Sequence, residues 1–228
     1  MATRHPINTN ASDQTRAKLI EIAGRVFAER GYRAATVREI CLQAGANIAA
    51  VNYHFRDKLG LYTEVLRQSV CAAHMDRARA ALDQNISPEE KLRAVIRVRV
   101  HSLRRADVPD WHFRIVAHEL AAPTPALPMV IDEALLPIHG RLLEIVGSLL
   151  ELPPNDEKTR LCVYSIIGQM VLYALAQPVL ARLWPGLKMT SQQLDRIADH
   201  IADFSLAYVR QAGPRSDKPK RKQAGIRK

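Results

Sequence analysis

Thr36-Val-Arg-Glu-Ile-Cys-Leu-Gln-Ala-Gly-Ala-Asn-Ile-Ala-Ala-Val-Asn-Tyr-His-Phe55 is the stretch whose reading decides the fold. Thr36 with Glu39 three residues on spells a capping box, in which each side chain satisfies the other residue's free backbone N–H and a helix starts sharply. Ile40 and Ala44 lie one turn apart on one face, Gly45 supplies the permissive backbone that leaves the helix, and Asn47 is placed to cap the next helix. That second helix covers Ile48 to about Phe55. Val51 and Phe55, at i and i+4, point back toward the first helix, which leaves Ile48, Ala49, Asn52 and Tyr53 on the open side. A short helix held on one face and bare on the other suits a DNA major groove.

Two helices of this size cannot bury a core alone, so the flanks complete the unit. Upstream, Ile20, Ala23, Phe27 and Ala28 make an apolar stripe on a helix from about Asp13 to Arg30, ended by Gly31. Downstream, Leu61, Val65 and Leu66 begin another, running from about Lys58 to about Asp83 and long enough to enter a second layer.

Ile20, Ala23, Phe27, Gly31-Tyr32, Thr36, Ile40, Ala44-Gly45, Tyr53-His54-Phe55, Lys58 and Leu61 together give this segment its resemblance to the DNA-binding domain of the TetR/AcrR family of transcriptional repressors. The resemblance implies a three-helix helix-turn-helix reader at the head of a homodimeric, effector-responsive repressor. Asn47, Asn52 and Gly60 depart from the family's usual residues, which bears on the operator sequence rather than the fold. The run Val51-Asn-Tyr-His-Phe, with His118-Glu-Leu-Ala-Ala-Pro-Thr-Pro-Ala-Leu127, looks like the branch carrying a CerR-type C-terminal domain.

Composition agrees with an all-α chain. Of 228 residues 47% are hydrophobic, enough for a real core, and strand signals are few. The net charge of +10 sits at the two ends: residues 1–60 hold nine Lys/Arg against five Asp/Glu, and residues 210–228 hold eight against one. An anionic partner fits the N-terminal part, and the tail Lys218-Pro-Lys-Arg-Lys222 either adds phosphate attraction or is merely solvated. Cys41, Cys71 and Cys162 share no CxxC spacing, which argues against disulfides or a zinc finger and for a reducing cytoplasm. No apolar run reaches membrane-spanning length.

Residues 12–60 therefore read as the helix-turn-helix domain and 61–211 as a larger helical effector-binding and dimerisation bundle, with 1–11 and 212–228 as flexible tails. Within the bundle, Ser87-Pro-Glu-Glu opens a helix to about Arg105, and Trp111 to Ala121 forms a short one. Ala126 to Glu151 is expected to kink at Pro137, Asn155 to cap a helix through about Ala176, and Thr190 or Ser191 to open the last helix to about Gln211. The apolar arcs of the elements near 155–176 and 191–211 are broader than a small bundle needs. Both remain open to a reading as monomer core, whereas the resemblance implies that they pair with a second subunit.

For DNA, Thr36, Tyr53, His54 and Lys58 are suited to phosphate, and Val37, Arg38, Asn47, Ile48, Ala49 and Asn52 to base edges and thymine methyls. For a small-molecule effector, Trp111, Phe113, Arg114, His118 and Glu119 mix apolar and polar groups at helical spacing, with Tyr164, Gln169 and Tyr173 as facing lining. A core-and-rim reading of the same residues stands beside it. His112, His118, Glu119 and His139 lack tight metal-ligand spacing, no cofactor motif is present, and neither a Gly-rich phosphate loop, an HExxH nor a nucleophile elbow occurs. The rival functions are a helical ligand carrier or enzyme, and a nonspecific DNA binder using the basic tail.

Overall fold

The computed structural model describes residues 9–70, 78, 80–104 and 109–213, and every regular element among them is helical. In chain order these are α1 (Thr9–Ala34), α2 (Val37–Ala44), α3 (Ile48–Phe55) and α4 (Lys58–Val70). After a helical stretch closing at residue 83 come α5 (Pro88–His101) with a 3₁₀ turn (Ser102–Arg104), and α6 (Trp111–Ala121). Then follow α7 (Leu127–Val130), a π turn (Ile131–Leu135), α8 (Leu136–Leu150), α9 (Glu157–Leu175), α10 (Gln177–Leu183) and α11 (Ser191–Ala212). Cys71, the expected run of α4 through 71–77, residues 105–108 and the basic tail from 214 onward lie outside the described residues.

Several boundaries follow from local chemistry. Gly31 bends α1 at φ 72° and ψ 167°, a backbone region open essentially to glycine alone, and one more helical turn follows it. α1 begins at Thr9, so the last three residues of the segment expected as a tail, 9–11, are helical. α5 has its full capping box: Ser87 Oγ accepts from Glu90 N, and Ser87 N donates to the Glu90 carboxylate at 2.9 Å. α9 is capped by Asp156, whose Oδ1 accepts from Lys158 N at 2.9 Å, and not by Asn155. Thr190 caps α11. The interruption expected at Pro137 takes the form of the π turn just before it. Pro137 has no N–H to give to the carbonyl four residues back and its ring crowds that carbonyl, so the helix widens by one residue there.

Packing divides the molecule into two cores. The first joins α1–α4, through Leu19, Phe27, Ile40, Val51 and Tyr62, to Trp111 and Ile115 of α6 and Val130 of α7. The second joins α5, α8, α9 and α11 through Leu92, Ile96, Val146, Val163 and Ile201. Each fully buried Leu or Ile of this kind contributes roughly 1.5–3 kcal/mol. α5 and α11 run antiparallel with a ladder of polar contacts at four-residue spacing: ion pairs Arg93–Asp203 and Arg97–Asp199 at 2.7 Å, and a His101–Asp195 hydrogen bond at 2.9 Å. α6 and α7 thus sit against the N-terminal core although they follow α5 in sequence.

Candidate nucleic-acid interface

The reading head is built by two caps and two anchors. Thr36 Oγ1 accepts from Glu39 N at 3.2 Å, and Gly45, at φ 62°, closes α2 with Ala46 N donating to Cys41 O at 2.9 Å. The expected reciprocal half of the Thr36 box is replaced by other contacts. The Glu39 carboxylate instead pairs with Arg30 at 3.0 Å, tying α2 to α1. Asn47 Oδ1 accepts from Ala49 N at 3.1 Å and opens α3. Val51 is fully buried and Phe55 nearly so, with the Arg16 guanidinium 5.6 Å from the Phe55 ring centroid.

With its inner face held, α3 presents Ile48, Ala49, Asn52 and Tyr53 to the outside, Tyr53 at 71% exposure. His54 is half-buried and stacks edge-on with Tyr53, ring centroids 4.9 Å apart. Thr36, Arg38 and Asn47 are also exposed. Two of the residues expected at DNA also have contacts within the protein. Val37 packs its side chain partly on the first core, so it is less available to bases than Arg38 beside it. Lys58 donates to Arg33 O at 3.2 Å and lies 4.7 Å from the Tyr32 ring centroid, and burial lowers its pKa, so its ammonium is engaged with the end of α1. Leu42 of α2, 82% exposed, was not singled out from the sequence. Its position off the Ile40/Ala44 stripe was the available signal.

Behind α3, the turn into α4 is tight. Arg56 adopts φ 74° and ψ −48°, and its N–H donates to Asn52 O at 3.1 Å. Asp57 Oδ1 accepts from Gly60 N at 2.8 Å. A Cβ on Gly60 would stand 1.9 Å from Phe55 O, so only glycine lets α4 approach α3 this closely.

The residues expected to line an effector cavity do not converge. Trp111 is buried against α1, where a Cβ on Gly24 would stand 2.6 Å from the indole. Glu119, 2% exposed, accepts from Tyr62 Oη at 2.7 Å and from Thr124 N at 2.6 Å, so both carboxylate oxygens are occupied by protein. Burial, and then this pairing, hold the Tyr62 hydroxyl far above the usual phenol range. Trp111 and Glu119 are therefore joints between α6 and the reading head, and Tyr62 is the partner that the sequence did not reveal. Tyr164 is exposed and stacks on His139 at 5.5 Å, while Gln169 donates to Ser205 Oγ at 3.4 Å and Tyr173 packs on the second core. Phe113 and His118 are half-buried and Arg114 is exposed. A cleft of about 320 Å³ does involve Trp111 and Arg114, but it opens between α6 and the Glu21, Arg25, Ala28 and Glu29 face of α1.

The reading head coincides with a match at residues 19–65 to the family described as bacterial regulatory proteins, tetR family. Residues 88–208, more than half of the chain, match the C-terminal domain of the HTH-type transcriptional dual regulator CecR. The chain belongs to the TetR family. Its C-terminal domain is of the CecR type, which is the branch anticipated above under the label CerR. This TetR-family protein is 28% identical over 184 residues to the dual regulator CecR of Shigella flexneri, an alignment covering 76% of this chain and 81% of that one. Among solved structures it resembles the transcriptional regulator FadR of Bacillus subtilis in complex with stearoyl-CoA, at TM-score 0.64 and 18% identity over 84% of this chain and 97% of that one. It also resembles AibR in complex with isovaleryl coenzyme A and operator DNA, at TM-score 0.61 and 19% identity over 83% and 97%. Like its relatives, this TetR-family chain is a DNA-binding transcriptional regulator. No single described helix is long and apolar enough to cross a membrane.

Proposed function

We propose that the protein is a homodimeric, sequence-specific repressor of the cytoplasm that leaves a pseudo-palindromic operator when a small molecule binds its C-terminal domain. The observation that carries this reading is α3: a helix pinned by Val51 and Phe55, with Ile48, Ala49, Asn52 and Tyr53 presented to solvent. Asn52 and Arg38 are suited to purine edges, Ile48 and Ala49 to thymine methyls, and Thr36, Tyr53 and His54 to phosphates.

Dimerisation is supported by the outer faces of the last long helices. Leu161, Tyr164 and Leu172 on α9 and Phe204 and Tyr208 on α11 are all more than half exposed, an apolar stripe that a monomer has no reason to keep. Two-fold symmetry would set two α3 helices about one DNA turn apart or a multiple of it. The Tyr62–Glu119 hydrogen bond supports a route of control, since α6 movement on effector binding would act directly on α4 and hence on α3. The effector shifts the DNA-bound population only by its differential affinity for the two states. The acyl-CoA ligands in the FadR and AibR structures make an amphipathic effector a reasonable class here.

Selection of bound duplexes from a random DNA pool at moderate salt, with Asn52→Ala in parallel, tests the reading. An enriched pseudo-palindrome whose affinity falls by roughly 5- to 150-fold in the variant is expected. Binding that follows salt alone, with no enriched sequence, would overturn it.

A further inference from the structure

Arg99 occupies an unexpected place on α5. In an ideal helix it falls in the middle of the buried stripe, seven residues after Leu92, three and four after Ile96 and Val95, and four before Leu103. Leu92, Val95 and Ile96 are buried in the second core and Leu103 packs on it. The other two arginines of α5, Arg93 and Arg97, lie off that stripe and each meets an aspartate of α11 at 2.7 Å. Arg99 is half-buried, and no hydrogen bond or ion pair reaches its guanidinium among the described residues. Desolvation lowers its pKa, with no described carboxylate acting against it.

A cation on an apolar face without a counter-ion weakens the folded protein, and a Leu or Met there would complete the stripe. Its chemistry is that of a receptor waiting for an anion: a planar fork of donors backed by hydrocarbon. We infer that Arg99 is the anchor of the effector site, receiving the anionic head, carboxylate or phosphate, of an amphipathic ligand whose apolar body lies among α5, α8 and α9. This rests on the effector reading above and adds to it the charge of the ligand and the residue that binds it. Both head groups present oxygens that can take two parallel N–H bonds from the guanidinium.

The test uses thermal unfolding of the full chain with decanoate, decyl phosphate, decanol or decyltrimethylammonium below their micellar concentrations, on the wild type, Arg99→Met and Arg99→Lys. One or both anions should raise the wild-type midpoint by about 5 °C near saturation, and the stronger of the two identifies the head group. Decanol and the ammonium should leave it unmoved. Arg99→Met should melt no lower than the wild type and lose the anion shift, and Arg99→Lys should keep part of it. Equal shifts with decanol, an anion shift that survives in Arg99→Met, or a lower melting point for Arg99→Met would each overturn the assignment, the last by making Arg99 a structural cation. Duplex selection on ligand-free Arg99→Met separates this failure from that of the regulator reading, because the variant should enrich the same operator as the wild type.

Discussion

At the scale of single residues, two buried polar groups decide how α6 is joined to the reading head. Tyr62 and Glu119 share a 2.7 Å hydrogen bond with both residues almost fully buried. Tyr62→Phe keeps the ring contacts with Phe27 and Tyr32 but removes this bond, and should cost roughly 1.5–3 kcal/mol by chemical denaturation. On the proposed route of control it should also weaken effector-driven release more than operator binding. His112 sits beside Trp111 with Nδ1 buried and without a hydrogen-bond partner among the described residues, and desolvation pushes its pKa from 6.5 down to about 4, against an opposing effect of Glu21. Between these values the unfolded chain binds more protons than the folded one, so stability falls as pH drops from about 6.5 to about 4 and is insensitive to this group above that window. The loss attributable to it is at most about 3.5 kcal/mol. His112→Phe should flatten that limb of a stability–pH curve, and an unchanged slope would assign the acid sensitivity elsewhere.

At the scale of elements, the α3–α4 turn sets the angle of the recognition helix. It depends on one atom's absence, the Cβ of Gly60, since Phe55 O occupies that space. Gly60→Ala should cost about 2–4 kcal/mol and reduce operator binding further than the stability loss explains, readable by comparing melting with affinity at a temperature where both proteins are folded. In the sequence Gly60 stood out only as a departure from the family's usual acid. Its necessity becomes visible once α4 is laid against α3. The caps at Thr36, Asn47, Ser87 and Thr190 were by contrast legible beforehand, because a cap is a local event between residues two or three apart. The Thr36 box failed in its second half because a distant residue, Arg30, competes for Glu39.

For the whole molecule, the proposed dimer would close over the exposed apolar stripe on α9 and α11. Phe204→Asp should convert a dimer to a monomer in sedimentation analysis and cost at least tenfold in affinity for a two-half-site duplex, with little change for one half-site. A protein that is monomeric to begin with would remove the dimeric part of the proposal. The same scale explains why the expected effector cluster dissolved. Trp111, Glu119 and Tyr164 look alike on a helical wheel, yet the first two face α1 and α4 and the third faces outward.

Sequence by itself determined the helical class, the position of the reading head and the face of α3 that it exposes. These follow from periodicity, capping and glycine placement, which act over a few residues, and from a family resemblance carried by that same stretch. Only the tertiary structure decided that α6 and α7 belong to the core of the reading head, that Tyr62 and Glu119 are partners across 57 positions, and that Arg99 lies on an apolar helix face with no counter-ion among the described residues. Burial and pairing are properties of the whole packing, set by which surfaces meet, and a single residue's chemistry does not contain them.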